Sequence, residues 1–145
     1  MSKPTLRTAT RQDAAAIHRL LKLNALPTAD LPTAQSEFIV AREGRTLIGA
    51  GALQSVTDAV LMRSVVVDAE HRSSGVGCLI VQELERRARE EGFTEIVLLT
   101  ETARRFFEHQ GYRVIEREQA PDGVKQSEEF RSLCPQSAAC LSKKL

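Results

Sequence analysis

A chain of 145 residues with net charge +1, 42% hydrophobic and 27% charged, has the make-up of an ordinary folded domain. Its acidic and basic residues are interleaved rather than blocked, which argues against a nucleic-acid or membrane-surface binder. No apolar run reaches the ~18 residues needed to cross a bilayer, and the opening MSKPTLRTATRQD is too polar for a secretory signal.

Thr5–Thr8 reads as a short strand. Thr10 then stands as an N-cap with Asp13 in the capping-box position, and Ala14, Ile17 and Leu21 recur at helical spacing, predicting a helix over 11–24. Two prolines make 26–35 a loop. EFIVARE, then Gly44-Arg45, then TLIGAGALQSV reads as a hairpin, and a strand over 58–67 extends it to a three-stranded antiparallel meander.

A helix follows from Gly75, with Val81, Leu84 and Ala88 on one stripe. Glu83–Arg87 and Glu85–Arg89 are expected as i,i+4 pairs on its wet side, and Gly92 as its stop. EIVLLT (95–100) is continuously apolar, as a strand buried on both faces would be. A second helix over 102–110, a half-exposed strand over 112–118, a long polar loop and a last strand within 137–145 complete a single α/β domain spanning 1–145, a mixed, mostly antiparallel sheet flanked by helices.

Three cysteines, Cys78, Cys134 and Cys140, with no CxxC, make a disulfide framework improbable; reduced thiols in a cytoplasmic protein fit best. Three thiols can in principle hold a soft metal or a metalloid. Cys78 is remote from the other two, however, so the favoured reading is small buried residues and no metal.

HRSSGVG (71–77) sits where a β-branched strand gives way to a helix. A helix start offers backbone N–H groups without intrahelical partners and a partial positive charge. Gly75 and Gly77 let an anion approach, while Arg72 and the hydroxyls of Ser73 and Ser74 add donors. A Walker loop would need Gly-Lys-Ser/Thr, and a dinucleotide fingerprint a third glycine where Ile80 stands. On local chemistry a phosphate cradle and a plain tight turn remain level.

The context is more specific. RSVVVDAEHRSSGVG resembles the acetyl-CoA segment of the GCN5-related N-acetyltransferases, in which a strand leads into an Arg/Gln-x-x-Gly-x-Gly/Ala loop and a helix. Arg72, Gly75 and Gly77 fill the defining positions, and EIVLLT with ETARRFFEHQGYRVIE resembles the family's next strand and helix. The loop and the LLT-x-x-A-x-x-F junction are similar to the acetyltransferase domain of N-acetylglutamate synthase. LLKLNALPTADL, LLTETARRFF and EFRSLCPQSAAC resemble more nearly the small arsenic-resistance-associated N-acetyltransferases.

The resemblance implies a set of roles. Acetyl-CoA is the co-substrate. The Val65 N–H faces the acetyl carbonyl, the strand Val65, Val66, Val67 holds the pantetheine arm, and the pyrophosphate lies on the amides of Ser73, Ser74, Gly75, Val76, Gly77 and Cys78 beside Arg72. Phe107 stands where the family usually has the tyrosine that protonates the leaving thiolate, and Thr100 where it has an asparagine.

Glu101 is the first candidate for base or amine anchor, with a bland role as a helix N-terminal acid beside it. Tyr112, the only tyrosine, is a core residue or a substitute acid. Arg63 is a surface charge or a bidentate partner for an acceptor carboxylate. Cys134 lines the acceptor pocket or donates a proton, with Ser137 as rival. The acceptor implied is the amine of a small molecule, an amino acid or an amino-acid-like toxin. Neither nucleic acid nor membrane is a partner, and pairing of two copies through the C-terminal strands is common in such folds. The rival reading is a CoA-binding or metalloid-responsive module without turnover.

Overall fold

The computed structural model describes residues 4–29, 36–72, 74–127, 130–131 and 137–145. Seven strands form one sheet: β1 (Thr5–Thr8), β2 (Ser36–Glu43), β3 (Thr46–Ser55), β4 (Val60–Val67), β5 (Glu95–Thr100), β6 (Arg113–Ile115) and β7 (Ala139–Lys144). Their order in space is β1-β2-β3-β4-β5-β7-β6. The expected meander is present, and β1 adds a fourth antiparallel strand. β4 and β5 are the one parallel pair among the described residues.

Four α-helices cover the sheet: α1 (Ala14–Leu23), α2 (Val76–Glu90), α3 (Arg104–His109) and α4 (Asp122–Lys125). Alternation along the strands sends side chains to two faces. Val60, Met62, Ile96 and Leu98 meet α2 and Phe107 of α3 on one face. On the other, Leu61 and Val97 meet Val124 of α4, while Val40, Ala50 and Val66 meet α1. β5 is thus buried on both faces, as its unbroken apolar run required. α2 lies close on β3 because Gly49 and Gly51 leave room: a Cβ at Gly51 would stand 2.8 Å from Ile80.

Several expectations are corrected. The first helix opens with a 3-10 turn over Arg11–Asp13 before α1 begins. The strand after the second helix has three residues instead of seven and runs into a 3-10 turn at Arg117–Gln119; α4 lies inside the supposed loop. β7 inserts between β5 and β6, pairing antiparallel with both, and so takes the ladder that β6 would otherwise share with β5.

Glu85 is not on the wet side of α2. It is 5% exposed and pairs with Lys143 of β7 at 3.1 Å, whereas the Glu83–Arg87 pair forms as expected at 2.9 Å. Asp13 receives the Thr10 N–H at 2.7 Å, as the capping box requires, and is also gripped by Arg7 and Arg42. These hydrogen bonds, the Thr10 amide foremost, hold its carboxyl well below the usual carboxylate range.

Candidate active site

β4 and β5 are hydrogen-bonded only at their starts, where Val60 faces Ile96 and Leu61 faces Val97. Beyond that point they part, and the sheet opens into a notch. On its β4 side there is a register shift: Ala50 pairs with Val66, but Ala52 pairs with Arg63. Two residues, Ser64 and Val65, therefore oppose the single Gly51, a β-bulge that leaves backbone polar groups out of the ladder. Ser64 takes the left-handed conformation at φ +59°. The bulge also changes the phase of the strand. Val60 and Met62 face α2, and after the extra residue Val65 and Val67 do so, while Val66 turns to the α1 side.

Two cavities meet at this notch. One, of about 370 Å³, lies between Val65–Val67, the loop at His71 and Arg72, the start of α2 at Gly75, Gly77 and Cys78, and Ala103, Phe106 and Phe107. The other, of about 510 Å³, shares Val65–Val67, Arg72, Ala103 and Phe107. It adds Met62–Ser64, the end of β5 through Thr102, and residues 24–27 after α1. Of the residues picked from sequence for the cofactor, Val65, Val66, Val67, Arg72, Gly75, Gly77, Cys78 and Phe107 are together in the smaller cavity, and Thr100 lines the larger.

Val76 is 2% exposed, its side chain in the core beneath the first turn of α2. Ser74 lines neither cavity, and its hydroxyl donates to the His71 carbonyl. Ser73 and Cys134 lie outside the described residues.

The start of α2 is open. Gly75, at φ +88°, turns the chain into the helix in a conformation that disfavours side chains, and no atom lies within 4 Å of the place of its missing Cβ. α2 is fifteen residues long, its N-cap Gly75 has no side chain to cap the first turn, and Gly75, Gly77 and Cys78 at its start line the smaller cavity. Arg72 donates to the Val67 carbonyl at 3.3 Å and to the Asn24 side chain, tying the loop to the end of α1. The His71 ring lies 3.1 Å from Asp68 and 3.7 Å from Glu43. The Asp68 hydrogen bond, with both nearby charges, raises its pKa.

The reading of Arg63 as a surface charge is corrected. Arg63 is 2% exposed, lines the larger cavity and donates to Gln54 at 3.1 Å and to Ser64 at 3.3 Å. A strand of alternating faces sends it to the α1 side together with Leu61 and Val66. Glu101 is exposed on the rim of the same cavity. The Thr100 hydroxyl accepts the Ala103 N–H at 3.0 Å, which fastens the start of α3 and leaves its own O–H to donate.

Tyr112 is not at the notch. It is 3% exposed, lines neither cavity and donates its hydroxyl to Glu85 at 2.9 Å. Burial and the Glu85 carboxylate push its pKa far up, so the substitute-acid role has no geometry behind it. Phe107 is 6% exposed and reaches both cavities, with no hydroxyl to give.

Sequence reasoning missed the bulge and the wall formed by residues 24–27. The polar pair Arg63-Ser64 inside an apolar strand was the signal for the first. The second had none, because only the tertiary packing of α1 brings its end to the notch. Among the described residues no three His, Cys, Asp or Glu side chains are grouped to hold a metal ion, and no helix is long and apolar enough to cross a membrane.

The chain was compared with known proteins. A family model described as an acetyltransferase (GNAT) domain matches residues 34–114, more than half of the chain. An uncharacterized N-acetyltransferase of Chlorobaculum tepidum is 33% identical over 105 residues, 72% of this chain and 65% of that protein. The uncharacterized N-acetyltransferase YjcF of Bacillus subtilis is 33% identical over 61% of this chain and 64% of its own length. The chain thus spans just under two thirds of each of these relatives. Among solved structures, Rv2747 of Mycobacterium tuberculosis in complex with CoA and NLQ superimposes with a TM-score of 0.83 at 27% identity, covering 97% of this chain and 99% of that one. N-acetylglutamate synthase of Neisseria gonorrhoeae, complexed with CoA and N-acetyl-glutamate, gives 0.84 at 18% identity. That match covers all of this chain but 36% of the synthase, and so concerns the fold alone.

Proposed function

Because this chain belongs to the acetyltransferase (GNAT) domain family, we propose that it is an N-acetyltransferase that moves the acetyl group of acetyl-CoA to the amine of a small molecule. The observation that carries the reading is the meeting of an uncapped helix start, an unladdered strand bulge and a second cavity holding a buried arginine at one notch. The residues present suit CoA. Amides at the start of α2 and Arg72 offer donors to a pyrophosphate. The strand Val65–Val67 offers the pantetheine amides partners of the kind another strand would supply. Phe106 and Phe107 give the arm an apolar wall.

The reaction asks for little beyond alignment and charge stabilisation. The Val65 N–H, beside the bulge, takes the negative charge that develops on the acyl oxygen. Glu101 anchors the incoming amine and accepts its proton. Arg63 holds a carboxylate of the acceptor from the cavity floor, as a planar fork does well. With phenylalanine at position 107, the thiolate leaves without a tyrosine to protonate it, which the acidity of a thiol tolerates.

The acceptor is accordingly an amino acid or an amino-acid-like antimetabolite of the arsenic-resistance type; the segments at 20–31, 98–107 and 129–140 support that finer reading by resemblance. We place the enzyme in the cytoplasm, as one domain over 1–145, able to pair as a homodimer. Thiol release from acetyl-CoA, assayed across a panel of free amino acids, tests the proposal. Turnover with carboxylate-bearing amines is the expected outcome. Tight CoA binding with no product from any amine would favour the non-catalytic CoA-binding or metalloid-responsive module, which Phe107 in the usual tyrosine position supports.

A further inference from the structure

Away from the notch lies a set of ionisable side chains, Glu85 and Tyr112 buried and Lys143 half-buried, that acetyl transfer leaves idle. Glu85 of α2 lines neither cavity, yet it is buried with a carboxylate to satisfy. It accepts the Tyr112 hydroxyl at 2.9 Å and the Lys143 ammonium at 3.1 and 3.2 Å. Lys143 donates also to the Gln110 carbonyl, at 2.8 Å, just where α3 ends. Its ammonium lies 5.5 Å from the centroid of the Tyr112 ring. That ring packs edge-on to Phe107 at 5.7 Å, and Phe107 edge-on to Phe106 at 5.0 Å. Those two phenylalanines and Ala103 form the α3 side of the smaller cavity.

α3 has six residues. A helix that short has almost no stability of its own, since isolated helices under ~12 residues are marginal; its position is set by what fastens it. The Thr100 hydroxyl holds its start, and Lys143 and Tyr112 hold its end. Gly111 makes the second anchor possible, because the ammonium of Lys143 stands 3.3 Å from where a Cβ would be. Glu85 is the point at which both groups of that anchor meet α2, the same helix whose first turn borders the cavity.

We propose that Glu85, with Tyr112 and Lys143, is a positioning device that sets the Phe106–Phe107 wall against the start of α2 and so tunes the affinity for CoA. The three act through α3 and touch no substrate. The inference rests on the reading above for one thing, that CoA occupies this cavity. A buried ion pair adds little net stability over an apolar replacement, whereas removing one member strands the other. Position and stability can therefore be separated by experiment.

The test is CoA titration by calorimetry on the full chain, at a temperature where every variant is folded, alongside thermal melting. Tyr112→Phe keeps the ring and its stacking but removes the hydroxyl, and is expected to weaken CoA binding about fivefold. The double variant Glu85→Leu with Lys143→Met strands no charge. It is expected to melt within a few degrees of the wild type while binding CoA about tenfold more weakly. Lys143→Arg, which keeps the cation, is expected to stay within twofold. Unchanged affinity in Tyr112→Phe and the double variant would overturn the proposal. So would a loss that follows the melting temperature and disappears in the double variant. A wild-type chain that bound no CoA would remove the cofactor reading itself, and this inference with it.

Discussion

The two sides of the notch are built from different materials. The side proposed for the cofactor is made largely of backbone: a bulge at Ser64 and Val65, the strand that follows it, and the amides opening α2 at Gly75. The side proposed for the acceptor is made of side chains: the buried Arg63 and the exposed Glu101, set among apolar residues. Backbone geometry survives most substitutions that respect space and φ, so under the proposed function the first side would suit a constant ligand. Side-chain chemistry changes with each residue, so the second would decide which amine is taken. The contrast predicts that substitutions on the two sides separate into effects on CoA and effects on the acceptor.

The largest effect should come from Arg63→Met. Turnover on a carboxylate-bearing amine should fall at least a hundredfold, about 2.7 kcal/mol of transition-state stabilisation, while CoA affinity stays within twofold. A parallel loss of CoA binding in calorimetry would abolish the contrast. Ser74→Glu adds a carboxylate at the helix start and should weaken CoA about tenfold, or 1.4 kcal/mol, leaving the acceptor KM unmoved. Glu101→Gln should lower turnover about fivefold at neutral pH, with no change in CoA affinity. Val67→Ile, which keeps the backbone extended, should alter every kinetic constant less than twofold.

Asp13 is the control outside both sides, a buried carboxylate held by Thr10, Arg7 and Arg42. Its folded pKa is depressed, so the stability it contributes is full above the ordinary carboxylate range, declines below that range and is gone once pH has fallen through the depressed folded value. Asp13→Asn should cost about 2 kcal/mol at neutral pH and make stability less steep in acid, leaving kinetics intact. Denaturant melts at several pH values read both effects.

The legible and illegible parts of this molecule divide along physical lines. The strand–loop–helix at 60–90 announced itself, because β-branched periodicity, a left-handed glycine and a helical stripe are local properties of the chain. The inward turn of Glu85 was half legible: it stands four residues after Val81 and three before Ala88, on the stripe itself, but a charged residue there needs a partner that only β7 brings. Likewise Arg63 and Ser64 interrupt an apolar strand in plain sight, yet whether that meant a wet edge or a buried bulge depended on what packed above them.

By itself the sequence determined the principal strands and helices and their order, α4 and the short 3-10 turns excepted, since dihedral preference and amphipathic spacing act over a few residues. Tertiary structure alone decided that β7 would enter between β5 and β6, that β4 and β5 would part after two paired residues, and that the Tyr112 hydroxyl would be buried on Glu85, away from the notch. Those outcomes depend on contacts between residues far apart in the chain, whose energies are fixed only when the whole sheet has closed.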